Sequence, residues 1–142
     1  MKTLSRSTFH SALLLLASLF LLAGCGTTKD AVARGDMSTL KASHLAFIDQ
    51  FTEGTGKTWD DQKLSSATAA MEKQFSDAEQ YAATKKDARR TNALSILHKQ
   101  FTKNAATLSR KKAFFRPTFA TELKAQVSQN YDLALKGEDL RS

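Results

Sequence analysis

The sequence predicts an all-α fold, a four-helix up-down bundle spanning residues 36–142. From Met37 onward, apolar residues recur at steps of three and four in four successive segments, the period of one helix face. No stretch alternates at the period of two that a half-buried strand requires. The connections between segments are short, so helices adjacent in sequence pack most simply as antiparallel neighbours.

The first helix is expected from about Asp36, as N-cap, to Glu53, with Met37, Leu40, His44, Phe47, Ile48 and Phe51 turned inward and Gly54-Thr55-Gly56 ending it. The second begins at Thr58, whose hydroxyl can cap while Asp60 and Asp61 complement the positive end of the helix dipole. Its inward stripe is Leu64, Ala67, Thr68, Met71, Phe75, Ala78 and Ala82. Neither Gly nor Pro marks the next boundary. On one continuous helix, however, this stripe and that of Leu94, Leu97, Phe101, Ala105 and Leu108 would lie about 120° apart, too far to serve one core. A break near residues 83–87, with Thr84 capping toward Asp87, resolves the conflict, and a single long kinked helix is the alternative. The fourth helix starts at Pro117 or Thr118, since the one proline of the chain suits a first-turn position. It faces Phe119, Leu123, Val127, Asn130, Tyr131 and Ala134 inward and stops at Gly137.

Ahead of these helices, Lys2 and Arg6 form a positive start with no acid before Asp30, and residues 12–22 are an apolar run. That run is shorter than the roughly 20 residues of a membrane-spanning helix and fits a secretory signal. It ends in Leu22-Ala23-Gly24-Cys25, which resembles the lipobox of bacterial lipoproteins: an aliphatic residue, two small ones, then cysteine. The resemblance covers only the first 25 residues. It implies that residues 1–24 are a cleaved signal peptide and that Cys25 is lipidated, carrying diacylglycerol on its thiol and a third chain, palmitate in type, on its amine. Two or three chains anchor stably where one binds with only about 10⁴ M⁻¹. Gly26 instead of Asp after the cysteine implies, by the same resemblance, the outer membrane facing the periplasm. Residues 25–35 then read as the lipidated cysteine and a flexible tether.

Cys25 is the single cysteine, which excludes an intramolecular disulfide and a cysteine-based zinc site. Cleavage after residue 24 removes Lys2 and Arg6 from the 21 basic residues and none of the 14 acids, so the net charge falls from +7 to +5. About 118 residues remain, enough for one hydrophobic core.

The remaining positive charge is unevenly spread. Ten cations lie between Lys85 and Arg116 against one acid, Asp87. Lys85, Arg89, Lys99, Lys103 and Arg110 fall within about 80° of one another, opposite the apolar stripe, so the third helix should expose a cationic ridge. Two readings stay open. In one, the acidic second helix, with Asp60, Asp61, Glu72, Asp77 and Glu79, neutralises part of this charge across the seam and the remaining cations are solvated. In the other, the ridge and the Lys111-Lys112-Ala113-Phe114-Phe115-Arg116 corner bind an anionic envelope component: phospholipid, lipopolysaccharide phosphate, peptidoglycan carboxylate or an acidic protein. Phe114 and Phe115 either enter such a surface or cap the bundle end. Nucleic acid would suit the charge, but export from the cytoplasm disfavours it.

Chemistry-bearing motifs are sparse. There is no G-x-S-x-G, no phosphate-binding Gly-rich loop and no H-E-x-x-H. The positions three after each Glu hold no His, so the di-iron Glu-x-x-His pair is missing. No catalytic residue, metal ligand or cofactor is therefore expected, and the reading is a non-catalytic envelope lipoprotein of structural or interaction type. The alternatives are an envelope enzyme acting on glycan or lipid, or a haem- or metal-binding periplasmic bundle using Met37 or Met71 with His98.

Overall fold

A computed structural model of the chain describes residues Asp30–Arg141. The expected signal peptide, Cys25 and the first part of the tether lie outside the described residues. Among the described residues four helices follow in order: α1 (Ala31–Gln50), α2 (Asp61–Thr84), α3 (Ala88–Lys111) and α4 (Pro117–Asp139). Among the described residues no helix is long and apolar enough to cross a membrane.

The expected tether is shorter than the sequence implied. Helix α1 starts at Ala31, not near Asp36, because the Asp30 carboxylate accepts from the Ala33 amide at 3.1 Å and Ala33 is already buried. Residues 31–35 thus belong to the helical domain. The α2 cap is likewise Asp60 and not Thr58: its carboxylate accepts from the amides of Gln62 and Lys63 at 2.8 and 3.1 Å. Between α2 and α3 the chain does break, which excludes one long kinked helix. Lys86 turns it with φ 54°, and Asp87 caps α3 by accepting from the Arg90 amide. Thr84 does not cap α3; its hydroxyl donates to the Tyr81 carbonyl at 2.7 Å and closes α2 instead.

Pro117 opens α4 as expected, but Gly137 does not end it. The helix continues to Asp139, drawn on by Glu138, whose side chain is buried against Arg90. Phe119 also departs from expectation: it is 48% exposed while Ala120 takes the inward position.

The stripes of α1 and α3 are buried throughout: Met37, Leu40, Phe47, Ile48 and Phe51 meet Leu94, Leu97, Phe101 and Leu108 in one core, joined by Met71 and Phe75 of α2 and Val127 and Tyr131 of α4. Ion pairs fix the direction of α1 against α4. Arg34 meets Asp139, Lys41 meets Asp132 and Asp49 meets Lys124, so the two helices run antiparallel. Asp61 with Lys112 and Glu72 with His98 set the same sense for α2 and α3. The Asn130 amide donates to Gln100 at 3.1 Å between α3 and α4. Among helices adjacent around the bundle, packing is heaviest between α1 and α4 and thinnest between α3 and α4.

One end of the bundle is closed by aromatic rings. Phe115 donates its amide to the Phe51 carbonyl at 2.8 Å and accepts from the Glu53 amide at 2.9 Å, tying the loop after α1 to the start of α4. Trp59 packs edge-on against Phe114, centroids 5.5 Å apart, and donates its indole N–H to Asp61. Phe114 and Phe115 are therefore parts of this cap and do not project as a pair.

Candidate functional site

The eight cations singled out from sequence, Lys85, Arg89, Lys99, Lys103, Arg110, Lys111, Lys112 and Arg116, are all exposed. They divide into three groups. Arg89, Lys99, Lys103 and Arg110 lie along the outward side of α3, a line of 21 residue steps that spans about 31 Å at the helical rise. Lys85 sits in the preceding turn with its ammonium 5.1 Å from the Tyr81 ring centre. Lys111, Lys112 and Arg116 surround the aromatic end, where the left-handed C-cap at Lys112 (φ 49°) turns the chain toward α4.

Neutralisation by α2 is partial. Lys112 reaches Asp61 at 3.3 Å, while Glu72 and Glu79 are taken by His98 at 2.5 and 2.9 Å. Among the described residues no ion pair engages Arg89, Lys99, Lys103 or Arg110. The carboxylates of α2 that border α3 thus meet a histidine and one lysine, and the ridge keeps its charge.

Beside the ridge, the thin α3–α4 seam opens into a groove of about 770 Å³ bordered by Lys99, Lys103, Gln100, Phe119, Glu122 and Gln126. One turn beyond Lys99 it is continued by a smaller hollow bordered by Arg89, Ile96 and Leu133. Ile96 and Leu133 are 55% and 63% exposed. Three of the exposed large apolar side chains, Ile96, Phe119 and Leu133, therefore share this face with the cations. Sequence reasoning missed them, although Ile96, an aliphatic residue on the polar side of the α3 stripe, carries the signal.

Arg90, counted in sequence with the cationic stretch, faces the other way. Its guanidinium is buried and donates to Glu138 (2.7 Å from Nη2) and to Asp30 (2.9 Å from Nη1), with Asp87 3.8 Å away. Arg141 closes the cluster on Asp87 and Glu138. For Asp30, partial burial opposes ionisation, but the hydrogen bonds from Ala33 and Tyr81 and the charge of Arg90 outweigh it and hold its carboxyl below the usual range. The buried carboxylate Glu138 is thus fully occupied by arginines.

The two histidines among the described residues have opposite environments. His44 is enclosed between Phe101 and Tyr131, both edge-on to its ring, and burial lowers its pKa to about 4. With the Asn104 amide donating to Nε2 at 3.3 Å, Nδ1 carries the proton and donates to the Tyr131 hydroxyl at 3.4 Å. His98 stacks on Phe75, planes 3° apart. Burial would lower its pKa, yet the hydrogen bonds to Glu72 and Glu79 dominate and raise it. Both ring nitrogens of His98 are engaged by carboxylates, so a Met–His98 pair for haem is not assembled here.

On the opposite side of the bundle, Asp36 of α1 is raised first by partial burial and then by the charges of Asp30 and Asp77. No protein-family model matches the chain, and no curated protein and no solved structure matches it either.

Proposed function

We propose that this chain is a non-catalytic bacterial envelope lipoprotein, anchored through acyl chains on Cys25, whose domain is an up-down four-helix bundle that binds an anionic envelope partner through α3. The antiparallel ion pairs between neighbouring helices support the bundle arrangement. The lipobox-like Leu22-Ala23-Gly24-Cys25 supports the anchor and an outer-membrane, periplasm-facing location. The observation that carries the binding role is that Arg89, Lys99, Lys103 and Arg110 stand exposed in one line with no acidic partner among the described residues. Cations left unpaired in this way contribute about 1 kcal/mol each near an anionic membrane surface.

Two measurements test the reading. Mass spectrometry of the native protein should find a cleaved chain beginning at an acylated Cys25, and an unmodified sulfur contradicts the anchor. Pull-downs of the Lys99→Gln, Lys103→Gln, Arg110→Gln triple variant should lose a salt-sensitive envelope association that the parent retains; an unchanged association contradicts the binding role.

A further inference from the structure

Resting on the anchored-lipoprotein reading, we infer that the partner of the α3–α4 face is the anionic phospholipid surface of the bilayer that holds the anchor, on which the domain lies on its side. Charge and apolar exposure coincide on this face. Lys99 and Lys103 border the groove, Arg89 borders the hollow that continues it, and Ile96, Leu133 and Phe119 stand exposed alongside. Phosphate headgroups would meet the cations while the three apolar side chains enter the interface, the pairing that peripheral membrane surfaces use. Among the described residues Glu122 is the one carboxylate bordering the groove, against Lys99 and Lys103.

The reach of the anchor fits this orientation. Four residues lie between Cys25 and Asp30, the cap of α1, and these five residue steps span at most about 17 Å. Helix α1 packs on α4, so with the α3–α4 face against the bilayer the start of α1 stands about one helix layer above α4, roughly 15 Å from the surface. The tether can bridge that distance. Standing on its tethered end, by contrast, the domain would carry Arg110 about 30 Å from the bilayer, well beyond a Debye length of about 8 Å.

The experiment reads lysine accessibility in the mature lipidated protein. It is reconstituted on vesicles of phosphatidylcholine alone or of phosphatidylcholine mixed with phosphatidylglycerol, then treated with an amine-acylating reagent and mapped by mass spectrometry. On the anionic vesicles Lys99 and Lys103 should react on the order of threefold more slowly than on the neutral ones, the protection disappearing at high salt, because contact is electrostatic in large part. Lys63 and Lys73 of α2 should react equally on both. Leu133→Glu should abolish the protection without releasing the protein from the vesicles. Equal reactivity of Lys99 and Lys63 on both surfaces overturns the proposal, as does protection seen in isolated envelopes but not on anionic vesicles, which would assign the face to a protein or glycan. Loss of vesicle attachment itself would instead count against the anchor, a separate result.

Discussion

Arg90 and Glu138, 48 positions apart in the chain, meet at 2.7 Å with their side chains only 6% and 3% exposed. This contact locks the start of α3 to the end of α4, and through Asp30 it also fixes the start of α1. Removing Arg90 leaves the buried Glu138 carboxylate to Arg141 alone and takes the guanidinium from Asp30, and breaking a buried pair costs up to roughly 3–5 kcal/mol. Arg90→Met should therefore lower unfolding free energy in urea by that order. Arg90→Met combined with Glu138→Leu should recover most of the loss, and a double variant as unstable as the single one contradicts the assignment.

His44 predicts acid lability. Its pKa is about 4 in the folded protein against about 6.5 when unfolded, so the unfolded chain binds the extra proton between those values. Stability should be fully present above about pH 6.5 and fall as pH drops toward 4, by roughly 3 kcal/mol in total. Urea titrations at pH 7.5 and 4.5 should show a smaller difference for His44→Gln than for the parent.

His98 acts with the opposite sign. Its pKa is raised in the fold, so the stability it contributes with Glu72 and Glu79 is present below the ordinary imidazole value of about 6.5 and is lost as pH rises through the raised value. Proton NMR should find the His98 ring titrating above that value and the His44 ring well below it. The reverse order contradicts both environments.

Lys86 and Lys112 occupy left-handed backbone at φ 54° and 49°, where a side chain is strained and glycine is not. Lys86→Gly should stabilise the α2–α3 turn by about 0.5–1 kcal/mol, read as a rise in Tm. An unchanged or lowered Tm contradicts it.

Much of this fold is legible in the sequence because burial imposes a period. Met37 through Phe51 and Leu94 through Leu108 are buried where the helical stripe puts them, and the phase clash between α2 and α3 locates a break that no glycine marks. The helix ends are less legible. Asp30, Asp60 and Asp87 cap three helices, yet each stands near a rival, Asp36, Thr58 or Thr84, of equal local merit, and tertiary contacts choose between them. Arg90 and Glu138 are illegible for a related reason, since nothing local says that a charged residue near a helix end will find a buried partner 48 positions away. On the candidate site, charge periodicity gives the α3 ridge, whereas the apolar half, Ile96 with Leu133 and Phe119, depends on how α4 is rotated against α3.

The most direct test of the binding role compares two sides of the domain in living cells. A photo-crosslinking side chain at Ala106, beside the ridge on α3, should capture envelope species, and Lys99→Gln, Lys103→Gln, Arg110→Gln should abolish the capture while leaving Tm within the shift expected of about 0.5 kcal/mol. The same probe at Ser66, exposed on α2, should capture little. Equal capture at both positions, or capture at Ala106 that survives the triple substitution, would contradict a cationic contact face on α3.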